Sequence, residues 1–226
     1  PHAHMLVEEL MILANELVAG LLAGRRREAL YRVHERPEPQ SVSLLLARLE
    51  DLGVPTPPVP ERVGPADAAQ LAGAASELVT EYVQRSGRGR DAFPAMVLQA
   101  LKQARYDPRN LGHMGLASNA YCHFTSPIRR YPDLVVHRAL TRWYKLGDGG
   151  LTDHEVEAME VTGELISTLE RRAMEAERDT VDRYVAAFLA DRVGQIVRCR
   201  ITGVQPFGFF ATVDELGGDG LVLAAD

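Results

Sequence analysis

The sequence predicts an α+β chain in two parts: a mainly helical body over residues 1–192, then the opening strands of a small all-β unit over residues 193–226. Apolar residues recur at helical spacing through most of the first part, and a proline-rich connection interrupts them once. From Val193 onward the pattern changes to alternation rich in Val, Ile and Phe.

The elements follow in order. "MLVEELMILANELVAGLLA", Met5 to Ala23, is apolar around most of its circumference and predicts a long, heavily buried helix ended by Gly24. Arg25, Arg26 and Arg27 come next as a surface cluster. "ALYRVHERP" alternates enough for a short strand stopped by Pro37, and "SVSLLLARLEDLG" is an amphipathic helix with Gly53 as its stop. Five prolines between Val54 and Pro65 make a stiff surface connection. Helical stretches at residues 67–84 and 92–104 flank "RSGRGR", a glycine-loosened basic loop. "HMGLASNAYCHFTSP" reads as partly extended, an apolar helix runs on through Trp143, and residues 153–192 read as one long helix with Gly163 as the lone internal breaker. The last segment turns at Pro206-Phe207-Gly208 and at Gly217-Gly218.

Bulk properties narrow the function classes. A composition of 46% hydrophobic and 25% charged residues is that of an ordinary globular protein. No apolar run reaches the roughly 18 residues of a membrane span and no leader opens the chain, so a cytoplasmic address with no membrane partner is expected. Cys122 and Cys199 stand in no paired spacing, which excludes a disulfide framework and a Cys-rich zinc site. A net charge of −6 argues against a surface that binds nucleic acid all over, but leaves room for a local basic channel.

The residues with most chemistry lie in "HFTSPIRRYPD", positions 123–133. Ser126 is a good N-cap and Pro127 suits a first helical position, so a helix can begin there, with Pro132 kinking or restarting it. Arg129 and Arg130 then sit at the positive end of a helix, where acidic residues are the ordinary choice. Either they pair with carboxylates or the site takes an anion, for which planar guanidinium forks and free helical N–H groups are suited. Asp133 and His137, four apart, can pair along one helical face.

Glu177 falls on the apolar stripe Val156, Met159, Gly163, Ile166, Leu169, Ala173, Val181, Tyr184, Phe188. A carboxylate on a packed face needs a cation, a donor or a task, and a structural ion pair is the alternative. His113, His123 and His137 are too widely spaced for a metal site and read as structural. The acidic pairs Glu8-Glu9, Glu50-Asp51 and Asp214-Glu215 do not make the aspartate cluster that Mg²⁺ chemistry wants, although Glu8 or Glu9 is a candidate buried contact. Phe207, Phe209 and Phe210 surround a Pro-Gly turn, where they are either stacking platforms for bases or core; alternation prevents all three from being buried.

"GHMGLASNAYCHFTSPIRRYPDLVVHRAL", residues 112–140, closely resembles the signature of the RNB family of exoribonucleases, the group of RNase II and RNase R. "HMLVEELMILAN" and "RRAMEAERD" resemble two further blocks of that family in the same order, and "VGQIVRCRITGVQPFGFFATV" resembles the first strands of the OB-type RNA-binding module that follows its catalytic domain. The resemblance spans nearly the whole chain and is nearer RNase R than RNase II. It implies processive, Mg²⁺-dependent hydrolysis of single-stranded RNA from the 3′ end to nucleoside 5′-monophosphates. It also implies catalytic roles for Arg129, at the scissile phosphate, and Glu177, at the end of the channel. For RNA contact it points to Glu8 at the 3′-terminal nucleotide and to Arg130 and Tyr131, which complete the arginine motif; Ser126, Phe207 and Phe210 are added from the residue reading above.

The family's metal-binding aspartates lie upstream of the block with which this sequence opens. Residues 193–226 also fall short of the roughly 70 that a five-stranded barrel needs. The expectation is therefore a carboxy-terminal fragment that holds no metal ligands, is inactive alone and depends on the missing amino-terminal portion of the same nuclease. The competing expectation is a catalytically dead RNA-binding or scaffolding protein derived from such a nuclease.

Overall fold

The computed structural model describes residues 2–60, 62–214 and 216–224, in two compact units, Pro1–Ser167 and Thr168–Asp226. The division falls inside a helix, whereas the sequence pattern changes only at Val193.

The first unit contains α1 (His2–Gly24), β1 (Tyr31–Val33), α2 (Pro39–Asp51), α3 (Pro65–Ser86), α4 (Ala92–Ala100), β2 (Arg105–Asp107), a 3₁₀ turn (Met114–Leu116), α5 (Tyr131–Tyr144), α6 (Asp153–Glu157) and the start of α7 (Met159–Ala190). β1 and β2 pair antiparallel with Tyr31 opposite Asp107 and Val33 opposite Arg105. At three residues β2 is too short to show an alternation, and the sequence reading has no strand there.

Two cores form. In α2, Val42, Leu45, Leu46 and Leu49 share one face and bury it against Leu71, Ala72, Ala75 and Val79 of α3 and Phe93 and Val97 of α4. The other core gathers Ala19 and Leu22 of α1, Leu30 and Val33, Tyr106, Cys122, Val135, Val136 and Ala139 of α5, and Met159. Burying each of the larger aliphatic side chains contributes roughly 1.5–3 kcal/mol.

Two expectations are corrected. Among the described residues only Asn15, Ala19 and Leu22 of α1 are buried, while Met5, Leu6, Leu10, Leu13 and Leu17 stand exposed, so the first turns of a helix apolar all round have no cover. α1 does end at Gly24 as expected, and the left-handed residue that follows is Arg26 at φ +52°, with its N–H on the Ala23 carbonyl and the Arg27 N–H on the Leu22 carbonyl, both 2.9 Å. The long helix at 153–192 is broken at Ala158, after a short α6 capped by the reciprocal Thr152–Glu155 bonds.

Gly163 breaks nothing. It lets α7 approach β2, where a Cβ would lie 2.8 Å from the Tyr106 carbonyl oxygen. Ser167, one turn on, accepts the Tyr106 N–H at 2.9 Å and donates to the Gly163 carbonyl at 2.7 Å.

The second unit contains the rest of α7 and an antiparallel meander, β3 (Cys199–Gln205), β4 (Gly208–Val213) and β5 (Asp219–Leu223), in that order. Both expected turns are present. Gly208 sits at φ +151°, and a Cβ there would strike the Val222 carbonyl oxygen at 2.2 Å. No helix among the described residues is long and apolar enough to cross a membrane.

Candidate nucleic-acid interface

The turn carrying the two arginines is built from below by Asn15. This buried α1 side chain donates through Nδ2 to the Tyr121 hydroxyl at 2.9 Å, and its Oδ1 accepts the N–H groups of Phe124 (3.0 Å) and Thr125 (3.3 Å). Its backbone carbonyl accepts the Cys122 thiol at 3.4 Å. His137 Nε2–H donates to the Phe124 carbonyl at 2.9 Å, and the two rings stack with centroids 4.3 Å apart. That bond replaces the expected Asp133–His137 pair.

Asp133 is occupied otherwise. Fully buried in the first turn of α5, its carboxylate accepts the Ser126 N–H at 2.7 Å and both arms of the Arg130 fork at 2.8 and 2.9 Å. The acidic residue that a helix start favours is therefore present, and it consumes one of the two arginines. Arg129 remains: exposed, with no carboxylate partner among the described residues. Its N–H and that of Arg130 both reach the Ser126 carbonyl, at 3.3 and 3.2 Å, closing a tight turn.

The helix begins at Tyr131 and not at Ser126. A helix running through would need an N–H at position 132 to reach the carbonyl of 128, and Pro132 has none. The resulting turn projects Ile128, Arg129 and Tyr131 outward, with Ile128 fully exposed and Tyr131 more than half exposed. Ser126 is half-buried, and Glu8 lies on the exposed side of α1.

Beneath the turn runs a chain of rings that the sequence reading did not connect. His34, His113, Tyr121, His123 and Tyr106 meet edge to face with successive centroid distances of 5.2, 5.3, 5.9 and 5.6 Å, and the Arg32 guanidinium lies 4.7 Å from the Tyr106 ring centre. Burial, then the Arg130 and Arg32 charges, push the His123 pKa down to about 3; burial, then His34 and Arg32, push His113 down to about 4. Both are neutral at pH 7, and His123 shares a 2.8 Å hydrogen bond with the Tyr106 hydroxyl. Burial and the Asp133 charge push the Cys122 thiol up to about 12, leaving it inert. Among the described residues no group of three or more His, Cys, Asp or Glu side chains can hold a metal ion. Glu215, one half of an acidic pair noted above, lies outside the described residues.

In the second unit Glu177 stands exposed on α7, as do its stripe neighbours Val181, Tyr184 and Phe188. The packed face expected around it is absent among the described residues: the buried stripe of α7 ends at Ser167. Phe207 and Phe210 are exposed and meet edge to face at 6.5 Å, while Phe209 is half-buried. A groove of about 580 Å³ in this unit is lined by Phe188, Arg192, Arg198, Arg200, Val213 and Asp214, among others. Arg192 follows α7 while Arg198 and Arg200 flank Cys199, the first residue of β3, so no run of basic residues announced it.

A family model described as "RNB domain" matches residues 1–145. The chain belongs to the RNB family. It is 39% identical over 230 residues to the ribonuclease R of Escherichia coli (strain K12), an alignment covering 97% of this chain and 27% of that protein. The structure of apo Mycoplasma genitalium RNase R superposes with a TM-score of 0.83 at 29% identity, covering 98% of this chain and 34% of the other. The same RNase R in complex with ribose methylated single-stranded RNA gives 0.80 at 28%, with the same coverage. The RNB chain described here thus spans between a quarter and about a third of the length of these relatives.

Proposed function

We propose that this chain is the carboxy-terminal portion of an RNase R-type exoribonuclease that hydrolyses single-stranded RNA processively from the 3′ end to nucleoside 5′-monophosphates in the cytoplasm. The observation that carries the reading is Arg129: an exposed guanidinium with no carboxylate partner among the described residues, on a turn pre-built by Asn15 and Asp133, within the RNB signature. Its fork takes a backbone phosphate at the scissile bond. Arg130 acts one step back, holding the turn through Asp133, and Tyr131 and Ser126 flank the phosphate. Glu8 contacts the 3′-terminal nucleotide, Glu177 works at the end of the channel, and Phe207 and Phe210 offer ring faces for bases in an OB-type module.

Mg²⁺ belongs to this chemistry, and the described side chains do not fit it. Its ligands are assigned to the amino-terminal portion of the same nuclease, and the isolated chain binds RNA without cleaving it. Incubating the pure 226-residue chain with single-stranded RNA and Mg²⁺ is expected to release no mononucleotides. Supplying the aspartate-bearing portion is expected to restore release. Release by the chain alone would overturn this division of labour.

A further inference from the structure

The carboxyl ends of α1 and α5 meet beside one another in the first unit. Trp143 Nε1–H donates to the Glu28 carbonyl at 3.3 Å, tying the last turn of α5 to the segment after α1. The Arg27 and Arg142 guanidiniums lie 4.7 and 4.9 Å from the Trp143 ring centre, and that of Arg25 lies 5.3 Å from the Tyr144 ring centre. Arg25, Arg26, Arg27 and Lys145 are exposed and have no carboxylate partner among the described residues; Arg142 pairs with Asp153.

Two backbone observations set this place apart. Arg26 at φ +52° and Lys145 at φ +54° both occupy the left-handed position that closes a helix, where glycine is the less strained residue. Each thereby puts an exposed cationic residue at a helix end. Attraction to the two helix carboxyl ends, worth about half a negative charge each, accounts for a cation apiece. It does not account for five cations against Glu28, Asp153 and those two ends, nor for guanidiniums laid on rings. A guanidinium stacked on a ring is held in place by its face and keeps its N–H edge for an oxyanion.

We infer that Arg25, Arg26, Arg27 and Lys145, braced by Trp143 and Tyr144, form a second, sequence-independent contact for the RNA backbone, separate from the Arg129 turn. The rings serve the arginines and not the bases, so the patch reads phosphate charge alone. This rests on the RNA reading of the chain, which supplies the polyanion.

The test is fluorescence anisotropy of the 226-residue chain with a labelled 24-nucleotide oligouridylate over a salt series. The double variant Arg25→Gln/Arg27→Gln is expected to bind about tenfold more weakly at low salt, and its log-affinity against log-salt slope is expected to lessen by about 1.4, the value for two lost phosphate contacts on a single strand. Arg25→Lys/Arg27→Lys keeps the charges and is expected to restore the slope. If the Gln variant keeps wild-type affinity and slope while Arg129→Ala weakens binding, the patch is refuted and the proposed function stands. A wild-type chain that binds no RNA refutes both. Loss of a labelled polyglutamate in the Gln variant with RNA binding retained overturns the RNA assignment in favour of an acidic protein.

Discussion

Asp133 and Glu177 are both carboxylates on helices of this chain, and their surroundings are opposites. Asp133 is fully buried, and three N–H donors from Ser126 and Arg130 converge on it. Glu177 stands in solvent on a stretch of α7 with no buried neighbour between Arg171 and Thr180. The first sits where the fold is already complete, so its charge is balanced by groups of this chain. The second has only its position to recommend it. A site residue whose environment is finished can be tested in this chain alone; one on an open face needs whatever else covers it before its role has an energy.

The contrast can be broken in four ways, from the largest expected effect to the smallest. Asp133→Ala leaves Arg130 without its counter-charge and the Ser126 N–H without its acceptor, and is expected to cost about 3–5 kcal/mol of unfolding free energy in urea denaturation. A loss below about 1 kcal/mol would mean that the turn is not held as described. Asn15→Leu keeps the volume but strands the Phe124 N–H and the Tyr121 hydroxyl, for an expected loss of about 2–3 kcal/mol by the same measurement.

The third way is by pH. His123 and His113 titrate at about 3 and about 4 in the folded chain, against roughly 6.5 when unfolded. Between those values the unfolded state binds more protons, so stability is full above about pH 7 and declines as pH falls from about 6.5 towards about 3. Unfolding at pH 7 and pH 5 reads the difference, and His123→Phe should make the decline shallower; an unchanged slope would remove His123 from the account. Smallest are Glu177→Gln and Arg129→Ala, each expected to move stability by less than about 0.5 kcal/mol because both side chains are exposed. Arg129→Ala should nevertheless weaken single-stranded RNA binding about tenfold or more, which separates a binding residue from a structural one.

Much of this was legible in the chain. Helices α2 and α3 declare themselves by apolar residues at three- and four-residue spacing, and the β meander by alternation with Pro-Gly and Gly-Gly turns. The arginine turn stood out because its charges had the wrong sign for a helix start. Asn15 did not stand out: a single polar residue in an apolar helix looks like an ordinary interruption until the segment at 121–125 comes to lie beside it. The ring chain through His34, His113, Tyr121, His123 and Tyr106 joins positions far apart in sequence, and no spacing rule connects them. α1 misled in the other direction, because an apolar surface says that cover is wanted without saying which chain segment provides it.

What the sequence alone determined is local: which stretches are helical, where prolines forbid a helix to continue, and that two arginines, a serine and a tyrosine are concentrated at one helix start. Backbone sterics and side-chain periodicity act over a few residues, so they can be read in a line. What only the tertiary structure decided is which of the two arginines pairs with Asp133. Arg130 and Asp133 are three apart, a spacing that permits an ion pair without requiring one. Burial of Asp133 beneath the turn removes water as a competitor for its charge, commits it to Arg130, and leaves Arg129 exposed with no carboxylate partner among the described residues.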